Sequence, residues 1–171
     1  MSAAALLDAA DESTARDALT RCCGAARWVA GMLLRRPFGD DETLLAAADA
    51  VWAEMGSDDV LEALRHHPEI GADVEQLRAK FRTTAGWSQG EQSGVAEASE
   101  AVLLALRDGN VAYKAKFGHI FVVCATGKTA AEMLDLLNAR LPNPPEHELS
   151  IAAAEQGKIT KLRLAKLAEP T

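Results

Sequence analysis

Polar side chains able to do chemistry crowd into one window of this 171-residue chain, residues 65–95, RHHPEIGADVEQLRAKFRTTAGWSQGEQSGV. His66 and His67 stand directly before Pro68, whose ring disfavours the α region for the residue ahead of it. His67 is therefore expected at a helix exit, outside the regular turns. About two dozen residues on, Ser88-x-x-Glu91 spells a capping box, in which the serine accepts from the N3 amide and the glutamate reaches back. Gln92 follows, Trp87 precedes, and Gly94 leaves room beside a helix N-terminus, an end that favours oxyanions. Two helix ends aiming polar groups into one space make the wall of a polar pocket. Read as bare structure, the same residues are a helix stop and a cap.

Other arrangements fail on spacing. FVVCA followed by TGKT and AAEML imitates the strand, Gly-Lys-Thr, helix order of a phosphate-binding loop. The first glycine of such a loop should stand five positions before Gly127, where Val122 stands, and its Cβ obstructs the nest of backbone N–H groups. Gly127 is better read as a turn glycine and Lys128 as a first-turn surface residue. His147 and Glu148 begin an HE pair, but position 151 is Ile, so no HExxH zinc motif exists, and adjacent His66 and His67 point in different directions. No metal is expected, and His119 and His147 read as surface or capping residues. Cys22, Cys23 and Cys124 are odd in number and give neither a disulfide framework nor a CxxC site, so reduced thiols are expected.

The elements that must position these groups are helical. Ser13 or Thr14 can cap a short helix running to Arg21 after a loose start, and a second carries Trp28, Val29, Met32 and Leu33 to a stop before Pro37. Asp40 and Asp41 open a third, where Leu44, Leu45, Ala48, Val51, Trp52 and Met55 form one face at helical period before Gly56. Residues 57–59 cap the next, with Val60, Leu61 and Leu64 inward. Val74, Leu77 and Phe81 mark a helix before a break at 83–87. A long helix over 88–108 buries Val95, Val102, Leu103 and Leu106, with Gly109 as its stop. HIFVVCA is strand-like but has no partner strand, so residues 119–125 read as a buried extended segment or a helix. Helices over 129–140, with Met133, Leu134 and Leu137 inside, and over 146–167 flank the breaker LPNPP. The expectation is an all-α, single-domain bundle of about eight helices spanning 1–171.

At 49% apolar content the chain can bury a substantial core. A net charge of −7 and a pI near 5.1 oppose nucleic-acid binding, which needs clustered basic residues; a small molecule or a protein is the expected partner. The opening MSAAALLDAADE lacks the basic region of a signal peptide, no segment reaches the ~20 apolar residues of a membrane span, and AKLAEPT carries no peroxisomal tripeptide. A cytoplasmic location is expected, with no membrane association.

In order along nearly the whole chain, RCCGAARW, RPF at 36–38, AADAVW at 47–52, HHPEIG at 66–71, WSQGEQSGV from Trp87, NVAYKAKFGHIFVVCATGK from Asn110 and KITKLRL resemble the 2-oxo-4-hydroxy-4-carboxy-5-ureidoimidazoline (OHCU) decarboxylases of urate degradation. Glu69 departs from the basic residue many bacterial members carry. The resemblance implies removal of a carboxylate from the ureidoimidazoline and protonation on one face to (S)-allantoin, without metal or organic cofactor. It implies His67 as catalytic acid/base, directed by Pro68, with Glu91 acting beside it. Glu91 and Gln92 would bond the ring and ureido groups, Ser88 would add a hydroxyl, and Arg163 would hold a carboxylate or carbonyl edge with its fork. Backbone groups of Phe121, Val122, Val123, Cys124 and Ala125 would meet substrate, and the protein would be a homodimer. A binding module that has lost catalysis, or a helix-bundle interaction domain, are the alternatives that turnover would separate.

Overall fold

The computed structural model describes residues 1–69, 71–82 and 92–169. Among them are α1 (Ala3–Ala9), α2 (Glu12–Cys22), α3 (Ala26–Leu33), α4 (Asp41–Ala53), α5 (Ser57–Arg65), α6 (Val74–Arg82), α7 (Gln92–Phe117), α8 (Ala130–Arg140) and α9 (Pro145–Lys166). The described residues contain no strand, and the chain is all-α as its periodicities required. Residues 119–125 are neither helix nor strand, with His119, Val122 and Val123 buried, so of the two readings the helix is excluded. None of the helices is long and apolar enough to cross a membrane, among the described residues.

Two compact units emerge. The first comprises Met1–His67, Val122–Cys124 and Ile151–Thr171. Its core joins Leu7, Leu19, Trp28, Met32, Leu44, Val51 and Leu164. The apolar face foreseen for α4 is real: Leu44, Ala48 and Val51 are buried, and Asp40 caps the helix by accepting from Thr43 N at 2.7 Å. Trp28 Nε1 donates to Ala48 O at 3.2 Å and the partly buried Trp52 Nε1 to Ala153 O at 2.9 Å, so both of these indole N–H groups find a partner. The loose start is a helix instead. Seven residues are too few to hold α1 alone; Ser2 Oγ accepts from Ala5 N, Asp41 Oδ1 accepts from Ala4 N at 2.8 Å, and Ala3, Ala4 and Leu7 are buried. The cap of α2 is Asp11, accepting from Thr14 N at 2.7 Å, rather than Ser13 or Thr14. In a run of several cap-competent residues the sequence does not choose among them.

The second unit comprises Pro68–Phe121 and Ala125–Ser150. Here α8 packs along α7, and α6 lies against α7 as well. Gly109 does not stop α7, which runs eight residues further, to Phe117. A Cβ at 109 would stand 2.5 Å from Leu137 Cδ2, so this glycine lets α8 approach closely. The stop is Gly118, whose φ of +77° is open to glycine, with its N–H donating to Lys114 O at 2.8 Å. Thr129 and Glu132 form a capping box that opens α8, and Gly127, φ +75°, is the turn glycine expected. Lys128 precedes that helix, closing a turn onto Ala125 O at 3.0 Å.

Candidate active site

In the first unit, α5 ends at Arg65, and the N–H of His67 still reaches Leu64 O at 3.2 Å before Pro68 leaves the helix. His67 thus stands at the exit foreseen for it, half-buried. Its Nε2 hydrogen-bonds Gln156 Oε1, and its Nδ1 lies 3.5 Å from an Arg163 guanidinium nitrogen. Two residues expected to share a site, His67 and Arg163, are therefore together, although 96 positions separate them. The same guanidinium reaches Arg21 O at 3.4 Å and Cys22 O at 3.5 Å, which anchors it to the end of α2. Gly24 supports the neighbouring turn: a Cβ there would stand 2.2 Å from His66 Cγ.

Gln156 and Thr160 are site residues that sequence reasoning missed. Ala152, Gln156, Thr160 and Leu164 follow at i, i+4 spacing on one face of α9, and all four are buried. A glutamine and a threonine interrupting an apolar stripe were the available signal, since buried polar groups need partners. Gln156 Nε2 donates to Thr160 Oγ1 at 3.0 Å. Burial holds the His67 imidazole below its ordinary pKa; the Gln156 hydrogen bond opposes this, and the charges of Arg163 and His66 add to the lowering. The ring is a neutral base near neutral pH. Burial pushes the Cys22 thiol up to about 11 and raises Cys23 as well, so both are unreactive as nucleophiles. None of the three cysteines is in a disulfide.

Val122, Val123 and Cys124 belong to this unit; Val122 and Val123 are buried and Cys124 partly so. Pro68, Phe121 and Ala125 belong to the second unit. The expectations for Ser88 and Glu91, with the break at 83–87, lie outside the described residues, as does the side chain of Gln92. Glu69 is exposed and pairs with Lys114, a surface ion pair that contributes little to stability.

The second unit holds a buried network absent from the sequence reading. Glu148, fully buried, accepts from Arg140 Nε at 2.6 Å, Tyr113 OH at 2.5 Å and Asn143 Nδ2 at 3.0 Å. The Arg140 guanidinium also lies 4.6 Å from the centroid of the Phe121 ring, which ties the start of the extended segment to α8. Burial alone would raise the Glu148 carboxyl, but the hydrogen bonds from Arg140, Tyr113 and Asn143 hold it below the usual range. His119, read as a surface residue, is buried: its Nδ1 lies 3.1 Å from Ile120 O and its ring meets Tyr113 edge-on. His147 is exposed, as read. Among the described residues, no group of three or more His, Cys, Asp or Glu is placed to hold a metal ion.

A neutral imidazole beside a guanidinium, set among helices, has the layout of an acid–base centre for an anionic small molecule. The chain belongs to the OHCU decarboxylase family, whose model matches residues 8–165. It is 42% identical over 148 residues to the uric acid degradation bifunctional protein TTL of Arabidopsis thaliana, matching 85% of this chain and 45% of that protein, so it spans less than half of that relative's length. It is 34% identical over 140 residues to the mouse 2-oxo-4-hydroxy-4-carboxy-5-ureidoimidazoline decarboxylase, covering 78% of this chain and 74% of that one. A crystal structure of an OHCU decarboxylase in the presence of (S)-allantoin superposes with a TM-score of 0.71 at 34% identity, over 94% of this chain and 100% of the other.

Proposed function

We infer that this chain decarboxylates 2-oxo-4-hydroxy-4-carboxy-5-ureidoimidazoline to (S)-allantoin in urate degradation. The observation that carries the reading, beside family membership, is the neutral His67 imidazole with Arg163 3.5 Å from its Nδ1. Loss of CO2 leaves an electron pair that the substrate's own oxo-imidazoline ring delocalises. The protein need only orient the ring, stabilise developing charge and control one proton, so no electron-sink cofactor is required. His67 is the catalytic acid/base, an imidazole whose pKa burial lowers, so that it starts as a neutral base able to take a proton and return it.

Arg163 positions the substrate by its carboxylate or a carbonyl edge. A tighter grip on the departing carboxylate would stabilise the ground state and slow the reaction. Ser88, Glu91 and Gln92 bind the ring and ureido groups, with Glu91 also acting in catalysis, and backbone groups of 121–125 meet substrate. Residues 1–171 act as one catalytic domain, in the cytoplasm, as a homodimer. Leu104 and Val111, both exposed and seven residues apart on one side of α7, support pairing through an apolar helix face.

The test is turnover of substrate made freshly from urate with uricase and hydroxyisourate hydrolase, followed by circular dichroism. Rapid appearance of (S)-allantoin is expected; an optical signal no faster than the uncatalysed decay would remove the proposal. Sedimentation showing only monomer at micromolar concentration would remove the dimer.

A further inference from the structure

We propose that Gln156, backed by Thr160, is a positioning residue that fixes His67 as its Nε2–H tautomer and leaves Nδ1 as the nitrogen that handles the proton. The proposal rests on His67 being the acid/base of the decarboxylation. A neutral imidazole has one donor and one acceptor nitrogen. Gln156 Oε1, bonded to Nε2, can only accept. The amide is held in that sense by its own NH2, which donates to Thr160 Oγ1 at 3.0 Å. Turning the amide over would move the ring proton to Nδ1, against a guanidinium that has donors only. Arg163 and Gln156 therefore select the same tautomer from opposite sides of the ring.

The two nitrogens also differ in what lies beyond them. Nε2 points at Gln156, fully buried, with Thr160 behind it, also buried. Nδ1 lies on the side of Arg163, the group that would hold the substrate's edge. The bond to the carboxylate breaks, CO2 leaves, and its electron pair moves into the ring, where a ring nitrogen takes a proton from solvent. Nδ1 accepts the proton of the 4-hydroxyl as that oxygen becomes a carbonyl, and delivers a proton to carbon 5 on one face. The imidazole ends neutral, as it began, with Nε2–H still on Gln156.

The experiment has two arms. In protein labelled with 15N-histidine above pH 7, long-range proton–nitrogen spectra report the tautomer directly, His67 being identified by the signals lost in His67→Asn. A protonated Nε2 and an unprotonated Nδ1 are expected; the reverse, or an averaged pair, overturns the proposal. In the second arm, kcat/KM is followed against pH for Gln156→Leu and Gln156→Glu. Removing the acceptor should lower kcat by roughly 10–100-fold, part of the ~10²–10⁴ an acid/base contributes, with affinity for (S)-allantoin little changed. The carboxylate of Gln156→Glu should recover much of that rate and move the acid limb up by about one unit or more. An acid limb unmoved in Gln156→Glu overturns the positioning role. Should Gln156→Leu not fold, the wild-type spectrum still decides the tautomer. A wild-type protein with the expected tautomer but no turnover would remove the proposed function while supporting the tautomer assignment.

Discussion

Glu148→Leu should be among the most damaging single substitutions in the second unit. It removes the acceptor for Arg140 Nε, the Tyr113 hydroxyl and Asn143 Nδ2 at once, in a site where Glu148 is 0% and the Arg140 side chain 8% exposed. Taking one partner from a buried ion pair costs ~3–5 kcal/mol. For a chain of this length each kcal/mol moves the melting temperature by about 2–4 °C, so a loss of roughly 6–20 °C is expected. Arg140→Met alone should be similarly harmful, because it leaves a fully buried carboxylate with only neutral donors. The double variant should be less harmful than the sum by ~2–3 kcal/mol, since two apolar side chains of similar volume can replace a buried pair.

Acid sensitivity follows from the same geometry. Glu148 has a folded pKa below its ordinary value of 4.5, so its stabilisation is complete above that value and is lost as pH falls through the folded value. The wild type should lose stability across that window more steeply than the double variant. Thermal unfolding by circular dichroism, from pH 7 down to pH 3, measures both effects. A Glu148→Leu cost below about 1 kcal/mol, or additivity in the double variant, would refute the reasoning.

Three further outcomes are expected. Arg163→Lys keeps the charge but loses the planar fork, so KM should rise more than kcat falls; a large fall in kcat at unchanged KM would contradict a positioning role. Because burial lowers the His67 pKa, the acid limb of kcat/KM should lie below 6.5, with the basic form active above it; a limb above 6.5 would contradict the environment described. Gly24→Ala forces a methyl group into the His66 ring and should cost ~1–3 kcal/mol in stability, as overpacking does. Unchanged unfolding of this variant would mean that His66 moves aside freely.

The helices were legible where apolar residues recur at helical period, as on α4 with Leu44, Ala48 and Val51. They were not legible where tertiary contacts replace propensity. The brevity of α1 hid it, because its stability comes from Asp41 and from burial of Ala3, Ala4 and Leu7. Gly109 looked like a stop because glycine disfavours helix interiors; close packing against Leu137 outweighs that cost. For the site, Pro68 alone announced that His67 leaves the helix. Its partners could not be inferred from local pattern: Gln156 stands 89 residues away and Arg163 96, and only folding brings α9 beside the end of α5. Glu148 was weighed as half of a zinc motif, whereas its partners Tyr113 and Arg140 come from α7 and α8.

His67→Asn tests the central claim most directly, because rate and stereochemistry separate in it. Asparagine keeps much of the size and some hydrogen bonding but cannot carry the proton. Protonation by water reaches either face and gives racemic allantoin, so circular dichroism distinguishes enzyme-controlled product from solvent-controlled product. The folded variant, still binding (S)-allantoin by calorimetry, should form S product roughly 10²–10⁴-fold more slowly. Near-normal formation of (S)-allantoin by the folded His67→Asn protein would contradict the account.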